Sequence, residues 1–429
     1  MAEGEGSGDY VNAQEAKDIL GIRQQTLYAY VSRGWIRSVS QPGKRTRLYL
    51  REDIERMAAR SMARSGHGAV AASAMHWGEP IIPTSITEIT RDGPRYRGKL
   101  ASELVQRGAS FESVAELLWT GLWHDDAGWP VQKQRSELRK LTNSLASIHS
   151  SDQALEIFAL VTLQLGLGRG SVAERIRSGH TLEAARQLIQ IMVGCCGLTG
   201  AQGRYVPMLP GQTVTEGLIH ALAIEKTEEH LQSIEAMLIL LADHELSPGA
   251  FNARVCASAG STLHSCIASA LCASSGVAVG RMYGRVSEFL DGGTTSGALV
   301  RKAMALQERG SAIPGFGHPL YPQGDPRAKL LLQIAQQRFG DRRGLKPVFG
   351  FILEMEEHFQ LHARHELAIA VLMRVMSLPH HVAGALFVLA RTAGWVAHVQ
   401  EQRLSGSLLR PRAKFVGAAS SSDSAIEVD

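Results

Sequence analysis

Apolar residues return every three or four positions, in one segment after another, from about His76 to Gly417. Convincing strand-like alternation is confined to a short stretch near Ile81–Ile89, which a polar turn at Arg91-Asp92-Gly93 follows. Because a period of 3.6 residues puts apolar side chains on one face of a helix, this pattern predicts a mainly α-helical body. With 429 residues, the chain is long enough for two or three domains and a large buried core.

Residues 10–62 have a different pattern. Asn12 and Glu15 have the spacing of a capping box, and Gly21 is expected to end the helix that they begin. A second helix is predicted over about Gln24 to Ser32, followed by a hairpin with a Pro-Gly turn and an arginine-rich third helix. This order of elements is typical of a small winged helix-turn-helix domain.

The charge of this N-terminal segment is lopsided. Between Tyr10 and Arg64 there are 11 basic and 5 acidic residues, a net charge of +6, whereas the whole chain carries only +4. A basic patch confined to one small module is typical of a DNA-binding surface, although a module used only for packing could also carry a solvated basic face. The candidate DNA-binding residues are Arg23, Gln24, Gln25, Tyr28, Arg33, Lys44, Arg45 and Arg47.

The segment TLYAYVSRGWIRS, with the capped helix before it and the basic wing after it, resembles the MerR/excisionase-like helix-turn-helix family. Residues 1–9 are predicted to form a disordered lead, 63–76 a linker and 418–429 a disordered tail. The N-terminus has no apolar run typical of a signal peptide, no apolar stretch is as long as a membrane span, and the five cysteines form no C-x-x-C pair. We therefore expect a cytoplasmic protein with reduced thiols and no membrane partner.

Three segments of the body carry residues suited to chemistry. His244 follows an apolar helix, His318 lies in the glycine- and proline-rich loop PGFGHPLYP with Arg327 shortly after it, and Arg410 lies in RPRAKF. Glycines allow a backbone to approach a ligand closely, and the guanidinium fork pairs with carboxylates in two contacts. These residues alone predict a cleft that binds an anion, such as a small polycarboxylate.

ADHELSPGAFNARVCASAGS, PGFGHPLYPQGDPRA and LLRPRAKFVG resemble signature segments of the citrate synthase family, in the expected order and spacing. RDGPRYRGKLASEL, ASFESVAELLWTG and ALFVLARTAGWVAHVQEQR resemble further segments, so the similarity extends from about residue 80 to 417. The resemblance implies an all-α two-domain body in a homodimer. Its large domain would span residues 77–279 and 374–417, and its small domain residues 280–373.

The resemblance also implies roles for individual residues. His244 would hold oxaloacetate, His318 would polarise its ketone as a catalytic hydrogen-bond donor, and Arg327 and Arg410 would clamp its carboxylates. The CoA moiety would lie along the backbone of Pro314, Gly315, Phe316 and Gly317. No metal or permanently bound cofactor is expected, and acetyl-CoA or another acyl-CoA would be a co-substrate.

Two positions depart from the family pattern. Glu366 stands where the family has the aspartate that removes the α-proton, so it would be the catalytic base on a longer side chain. Val279, in the loop GVAVGRMYG, stands where the family motif G-P-x-H-G-G-A has its second catalytic histidine. Valine cannot donate a hydrogen bond, and the loss of such a donor costs on the order of 100- to 1000-fold in rate. Arg281 or Tyr283 could be a substitute donor.

These observations leave three functional interpretations, the third of which is a regulatory subunit that pairs with an active paralogue. The first is a synthase that condenses acetyl-CoA or another short acyl-CoA with oxaloacetate to citrate or methylcitrate. The second is a catalytically degenerate sensor of oxaloacetate or acyl-CoA that regulates DNA binding. His358, His362 and His365 have the i, i+4, i+7 spacing of one helical face, but we interpret them as a histidine-rich surface and not as a metal site.

Overall fold

The computed structural model describes residues 10–32, 36, 38–40, 46–51, 53–54, 82–131, 140–142, 144–145, 153–167, 181–339 and 345–411. The chain divides into two compact units, a helical body over Thr84–Pro411 and a unit that contains the N-terminal segment. The predicted lead, linker and disordered tail lie outside the described residues.

The N-terminal unit contains α1 (Ala13–Leu20), α2 (Gln24–Ser32) and a sheet of β1 (Tyr10–Val11), β3 (Arg47–Leu50) and β2 (Ser38–Ser40), in that spatial order and antiparallel. The capping box predicted for Asn12 and Glu15 is present. Gly21 ends α1 in the left-handed conformation with φ 63°. Val11, Leu27, Tyr49 and other apolar residues form a small core of its own. Most of the predicted third helix lies outside the described residues.

The body begins with a small antiparallel sheet of β4 (Thr87–Thr90), β5 (Gly93–Tyr96) and β6 (Lys99–Leu100). Its described helices are α3 (Ala101–Gln106), α4 (Phe111–Thr120), α5 (Ala154–Gly166), α6 (Thr181–Thr199), α7 (Val214–Ala221), α8 (Glu228–Leu241), α9 (Pro248–Ser258), α10 (Leu263–Ser274), α11 (Met282–Asp291), α12 (Ser296–Glu308), α13 (Pro326–Phe339), α14 (Leu345–Phe359), α15 (His365–Val375) and α16 (Val382–Ser405). The predicted fold class, mainly helical with a helix-turn-helix domain, is confirmed.

Helix α16 is the central helix of the body and packs against α4, α6, α8, α9 and α10. It is long and apolar enough to cross a membrane, but its most apolar 18-residue window is entirely buried inside the protein. Trp395 near its middle is fully buried. These contacts are typical of a core helix in a globular protein.

A close contact between α16 and the end of α8 fixes the segment that carries His244. The backbone N–H of Gly394 on α16 donates to the carbonyl of Ala242 at 3.0 Å. A Cβ atom at Gly394 would lie 2.1 Å from an oxygen of Asp243, so only glycine allows this approach. His398, one turn further along α16, contacts Asp243 at 3.3 Å. The core helix therefore holds the end of α8 at a fixed distance.

Candidate active site

The loop that carries His318 is held against the start of α15. The N–H of Arg364 donates to the carbonyl of Gly315 at 2.8 Å, and the N–H of Gly317 donates to the carbonyl of His362 at 3.0 Å. Gly315 has a φ of +82°, and a Cβ atom there would lie 2.9 Å from the Leu367 side chain. The glycines singled out in the sequence are thus required by this close backbone pairing.

His318 is buried and its hydrogen-bonding state is defined. The backbone N–H of Leu320 donates to Nδ1 of His318 at 3.1 Å, so this nitrogen is an acceptor and the ring proton lies on Nε2. Burial, reinforced by the nearby Arg327 charge, lowers the pKa of His318 to about 4. The imidazole is therefore neutral near neutral pH and presents a donor at Nε2.

His244 lies beside His318, as the sequence predicts for two residues of one site. Their ring centroids are 5.7 Å apart, and Nε2 of His244 lies 3.2 Å from the hydroxyl of Tyr321. Burial lowers the pKa of His244 well below its usual value, and the Arg327 and Arg391 charges lower it further. The residue after it, Glu245, has a φ of 56°, an uncommon backbone conformation for a side chain with a Cβ.

Arg327 is held by a buried carboxylate. Asp325 precedes α13 and accepts from Nε of Arg327 at 3.0 Å and from Nη2 at 2.8 Å. His365, at the start of α15, places Nδ1 3.2 Å from Asp325 and 3.1 Å from Nη2 of Arg327. Burial alone would raise the pKa of Asp325, but the Arg327 guanidinium and the contact with the His365 ring hold it well below its usual range. Arg327 is thus rigidly positioned as a permanent cation.

The nearest atoms of His318, Asp325 and His365 all lie within 4.8 Å of one another, a spacing that could hold a metal ion. The guanidinium of Arg327 already contacts two of these residues, so a cation occupies this position. The helical face predicted for His358, His362 and His365 does not exist, because α14 ends at Phe359 and His365 begins a new helix.

Glu366 is buried in the first turn of α15, but its carboxylate is paired. Nε and Nη2 of Arg364 donate to its two oxygens at 3.1 and 2.7 Å. Burial alone would raise the pKa of Glu366, yet the His365 ring and the Arg364 guanidinium together lower it. The predicted base is therefore ionised, but both of its oxygens accept from Arg364, which weakens its basicity.

Sequence reasoning missed Arg391, a buried guanidinium on α16. Its Nε donates to the carbonyl of Leu241 at 2.7 Å, and its side chain lies over the ring of Phe387. Among the described residues it has no carboxylate within salt-bridge distance, and burial lowers its pKa. The sequence did carry a signal, because Arg391 is the one arginine, lysine or acidic residue between Val382 and Val399.

The loop at Val279 contains no histidine and is tightly packed. Val279 is half-buried against the core, and a Cβ atom at Gly280 would lie 2.4 Å from the carbonyl oxygen of Ser274. Arg281 is exposed and lies 3.6 Å from Glu156 on α5, which binds it outside the cluster. Tyr283 is buried instead, with its hydroxyl 3.2 Å from Nε2 of His365. Of the two predicted substitutes for the missing donor, Tyr283 is the one in the cluster.

The predicted oxaloacetate ligand Arg410 and the predicted CoA-binding segment differ in burial. Arg410 is exposed in the segment after α16 and has no hydrogen bond or ion pair to the cluster within the described part of the chain. The backbone segment predicted to lie along CoA is half-buried at Pro314, buried at Gly315 and Phe316, and exposed at Gly317.

In the N-terminal unit, Arg23, Gln24 and Gln25 are exposed around the start of α2, and Tyr28 is exposed in the middle of the helix. A groove of about 890 Å³ is lined by Gln24, Tyr28 and Arg47, among others. Nε2 of Gln24 donates to the hydroxyl of Tyr28 at 2.7 Å. The candidates Arg33, Lys44 and Arg45 lie outside the described residues.

Residues 75–412 match the family model described as "Citrate synthase, C-terminal domain". The chain belongs to the citrate synthase family. Residues 10–62 match the model "Helix-turn-helix domain", so this family member carries a helix-turn-helix domain before its citrate synthase domain.

Three relatives illustrate how far this citrate synthase family member has diverged. It is 26% identical over 364 residues to citrate synthase 2 of Bacillus subtilis. That alignment covers 79% of this chain and 95% of the relative. It is 31% identical over 193 residues to 2-methylcitrate synthase of Shewanella oneidensis. That alignment covers 44% of this chain and 52% of the relative. The solved ternary complex of citrate synthase from Thermoplasma acidophilum with carboxymethyl coenzyme A and oxaloacetate has a TM-score of 0.66 to this chain at 19% identity. The alignment covers 81% of this chain and 96% of that chain.

Proposed function

We propose that the helical body binds oxaloacetate and condenses it with an acyl-CoA. The observation that carries this proposal is the buried guanidinium of Arg391, which has no carboxylate partner among the described residues. An uncompensated buried cation is costly, and an anionic ligand would offset that cost. The Arg327 guanidinium, whose charge affects the same His244, would provide a second contact to a dicarboxylate.

The remaining groups suit the chemistry of such a condensation. His318 would donate from Nε2 to the ketone oxygen of oxaloacetate, and His244 would hold the same ligand. Glu366 would remove the α-proton of the acyl-CoA, whose carbon then attacks the ketone carbon. Water then cleaves the thioester of the product, so oxaloacetate, acetyl-CoA and water give citrate and free CoA. Propionyl-CoA would give methylcitrate by the same steps, with the CoA along Pro314–Gly317.

The test measures release of the CoA thiol from acetyl-CoA and propionyl-CoA, with and without oxaloacetate, together with calorimetric binding of oxaloacetate. Arg391→Gln should weaken oxaloacetate binding by at least about 10-fold, because a charge-assisted contact is worth about 1.5–3 kcal/mol. Arg374→Gln is the matched control, since Arg374 is a helical arginine that pairs with Asp291 at 3.3 Å. Equal oxaloacetate affinities in the two variants would contradict the assigned pocket, and no thiol release would contradict the reaction.

A second candidate function is a ligand sensor without turnover. It is favoured by the Arg364–Glu366 ion pair, which weakens the base, and by valine at position 279. In this alternative, oxaloacetate or acyl-CoA binding would alter the affinity of the N-terminal domain for DNA. Electrophoretic shifts of DNA at several salt concentrations, with and without oxaloacetate, test it. A DNA affinity that never responds to either ligand would eliminate the sensor.

We also propose that the body acts as a homodimer in the cytoplasm. Leu160, Leu163 and Leu167 on and just after α5 are 52%, 48% and 75% exposed, and their spacing places them along one side of the helix. A second copy of the chain would cover this apolar side. Sedimentation of the full chain should give a dimer, and Leu163→Glu should shift it towards the monomer, whereas Leu353→Glu on another exposed position should not.

A further inference from the structure

Tyr283 lies in the first turn of α11, directly after the loop in which valine occupies position 279. It is 2% exposed, its ring packs on Phe387 with centroids 5.2 Å apart, and its hydroxyl lies 3.2 Å from Nε2 of His365. The first turn of a helix and two ring contacts fix its orientation. Its only polar atom is thus held next to a histidine that belongs to the Arg327 cluster.

The contacts of His365 define which way the phenol hydrogen can point. Oδ2 of Asp325 already accepts from Nη2 of Arg327 at 2.8 Å and from the backbone N–H of His365 at 3.3 Å. Nδ1 of His365 lies 3.1 Å from Nη2 of Arg327, which is always a donor, and 3.2 Å from Oδ2 of Asp325. When Nδ1 accepts from Arg327, the single ring proton lies on Nε2, which then donates to the oxygen of Tyr283. Burial lowers the pKa of His365, so the ring carries only one proton. In this arrangement the phenol hydrogen is free for another acceptor.

The surroundings of the phenol are those of a donor and not of a phenolate. Burial raises the pKa of Tyr283 well above its usual value, and the Glu366 carboxylate raises it further. The charges of Arg391, Arg327 and Arg364 lower this pKa without reversing the shift, and the 3.2 Å contact with His365 places the hydroxyl beside the Arg327 cluster. The phenol therefore keeps its proton near neutral pH.

We propose that the Tyr283 hydroxyl donates a hydrogen bond to the thioester oxygen of the acyl-CoA, with His365 as the residue that positions it. The inference rests on the proposed condensation. When Glu366 takes the α-proton, the electron pair of the C–H bond moves to the thioester oxygen, and the phenol stabilises the negative charge there. The pair returns as the α-carbon attacks the ketone. The ketone oxygen takes up one proton to become the hydroxyl of the product and Glu366 gives up the one that it removed, so protons balance while Tyr283 keeps its own and no oxidant is needed.

The first test compares Tyr283→Phe with Tyr205→Phe, a half-buried tyrosine in the loop after α6 and outside the cluster. Tyr283→Phe should lower kcat for thiol release by about 100-fold, as for other lost oxyanion donors, and leave oxaloacetate affinity within about 3-fold. It should also slow exchange of the acyl α-hydrogens with deuterium oxide in the presence of oxaloacetate. Tyr205→Phe should leave all three quantities unchanged.

The second test addresses His365 as a positioning residue. His365→Gln keeps an N–H that can donate to the Tyr283 oxygen, whereas His365→Leu keeps none. The glutamine variant should retain kcat within about 5-fold, and the leucine variant should lose about as much as Tyr283→Phe. A purely structural role would not be rescued by glutamine in this way. Melting temperatures of all variants check that they fold.

The outcomes separate this inference from the proposed function. If the unaltered protein releases no CoA with either substrate, the condensation is wrong and the role of Tyr283 falls with it. If it releases CoA and Tyr283→Phe is equally fast in both release and exchange, the condensation stands and the role of Tyr283 is wrong. If glutamine and leucine at position 365 are equally slow, Tyr283 stands as the donor and the positioning role of His365 is overturned.

Discussion

Glu235 lies on α8, the helix that leads to His244, and its environment makes the stability of the body depend on pH. Its carboxylate accepts from the backbone N–H of Phe111 at the start of α4 and from the hydroxyl of Thr215 on α7. Glu112, in the first turn of α4, is a second buried acid close enough to act on it. Three helices thus converge on a pair of carboxyl groups without a described cation beside them.

Burial, and next the Glu112 charge, raise the pKa of Glu235 from 4.5 to about 7. At about 1.4 kcal/mol per pKa unit, the ionised form costs up to about 3 kcal/mol of folding free energy, and partial exposure of the side chain reduces this figure. In acid both states are protonated and nothing is lost. As pH rises from about 4.5 to about 7, the unfolded chain releases a proton that the folded chain retains, so stability falls.

We therefore expect Glu235→Gln to stabilise the protein by up to about 3 kcal/mol above about pH 7 and by almost nothing near pH 4.5. The amide can keep both contacts, because its oxygen accepts from Phe111 and its nitrogen donates to Thr215. The assay is urea unfolding of the full chain, followed by far-UV circular dichroism across this pH range.

Glu216→Gln is the control with the opposite sign. The hydrogen bond from Lys226 lowers the pKa of Glu216, so its stabilisation is present above the unfolded pKa and is lost as pH falls. This variant should be less stable than the unaltered protein near neutral pH and equal to it in acid. Parallel pH profiles for Glu235→Gln and the unaltered protein would refute the reasoning, because they would mean that Glu235 ionises alike in the folded and unfolded states.

Three further predictions concern the site and its support. Val279→His should speed thiol release by about 10-fold or more if the loop is correctly aligned, and an unchanged rate would remove this position from the reaction. Arg364→Gln removes a guanidinium that lowers the pKa of Glu366, so the acidic limb of the pH–rate profile should move to higher pH; a fixed limb would mean that Glu366 is not the base. Gly394→Ala should destabilise the body by about 1–3 kcal/mol, because its Cβ would overlap Asp243, and an unchanged melting temperature would contradict the close packing.

Much of the fold is predictable from sequence because it depends on residues a few positions apart. The Asn12–Glu15 capping box and the end of α1 at Gly21 involve hydrogen bonds that span three or four residues. The helical periods of the body reflect burial of one face of each helix, which sequence spacing records directly. The motif around His318 is recognisable for the same reason, since its glycines and prolines restrict a short stretch of backbone.

Only the tertiary structure decided how the site is assembled. Tyr283 and His365 are 82 residues apart, and the pairing of Arg327 with His365 spans 38 residues, so no local pattern predicts them. Arg391 looked like one charge in an apolar helix until its position near His244 was known. The sequence by itself determined which chemical groups the chain carries. Packing of α11, α13, α15 and α16 decided which of them meet, because burial sets their distances, charges and hydrogen-bond partners.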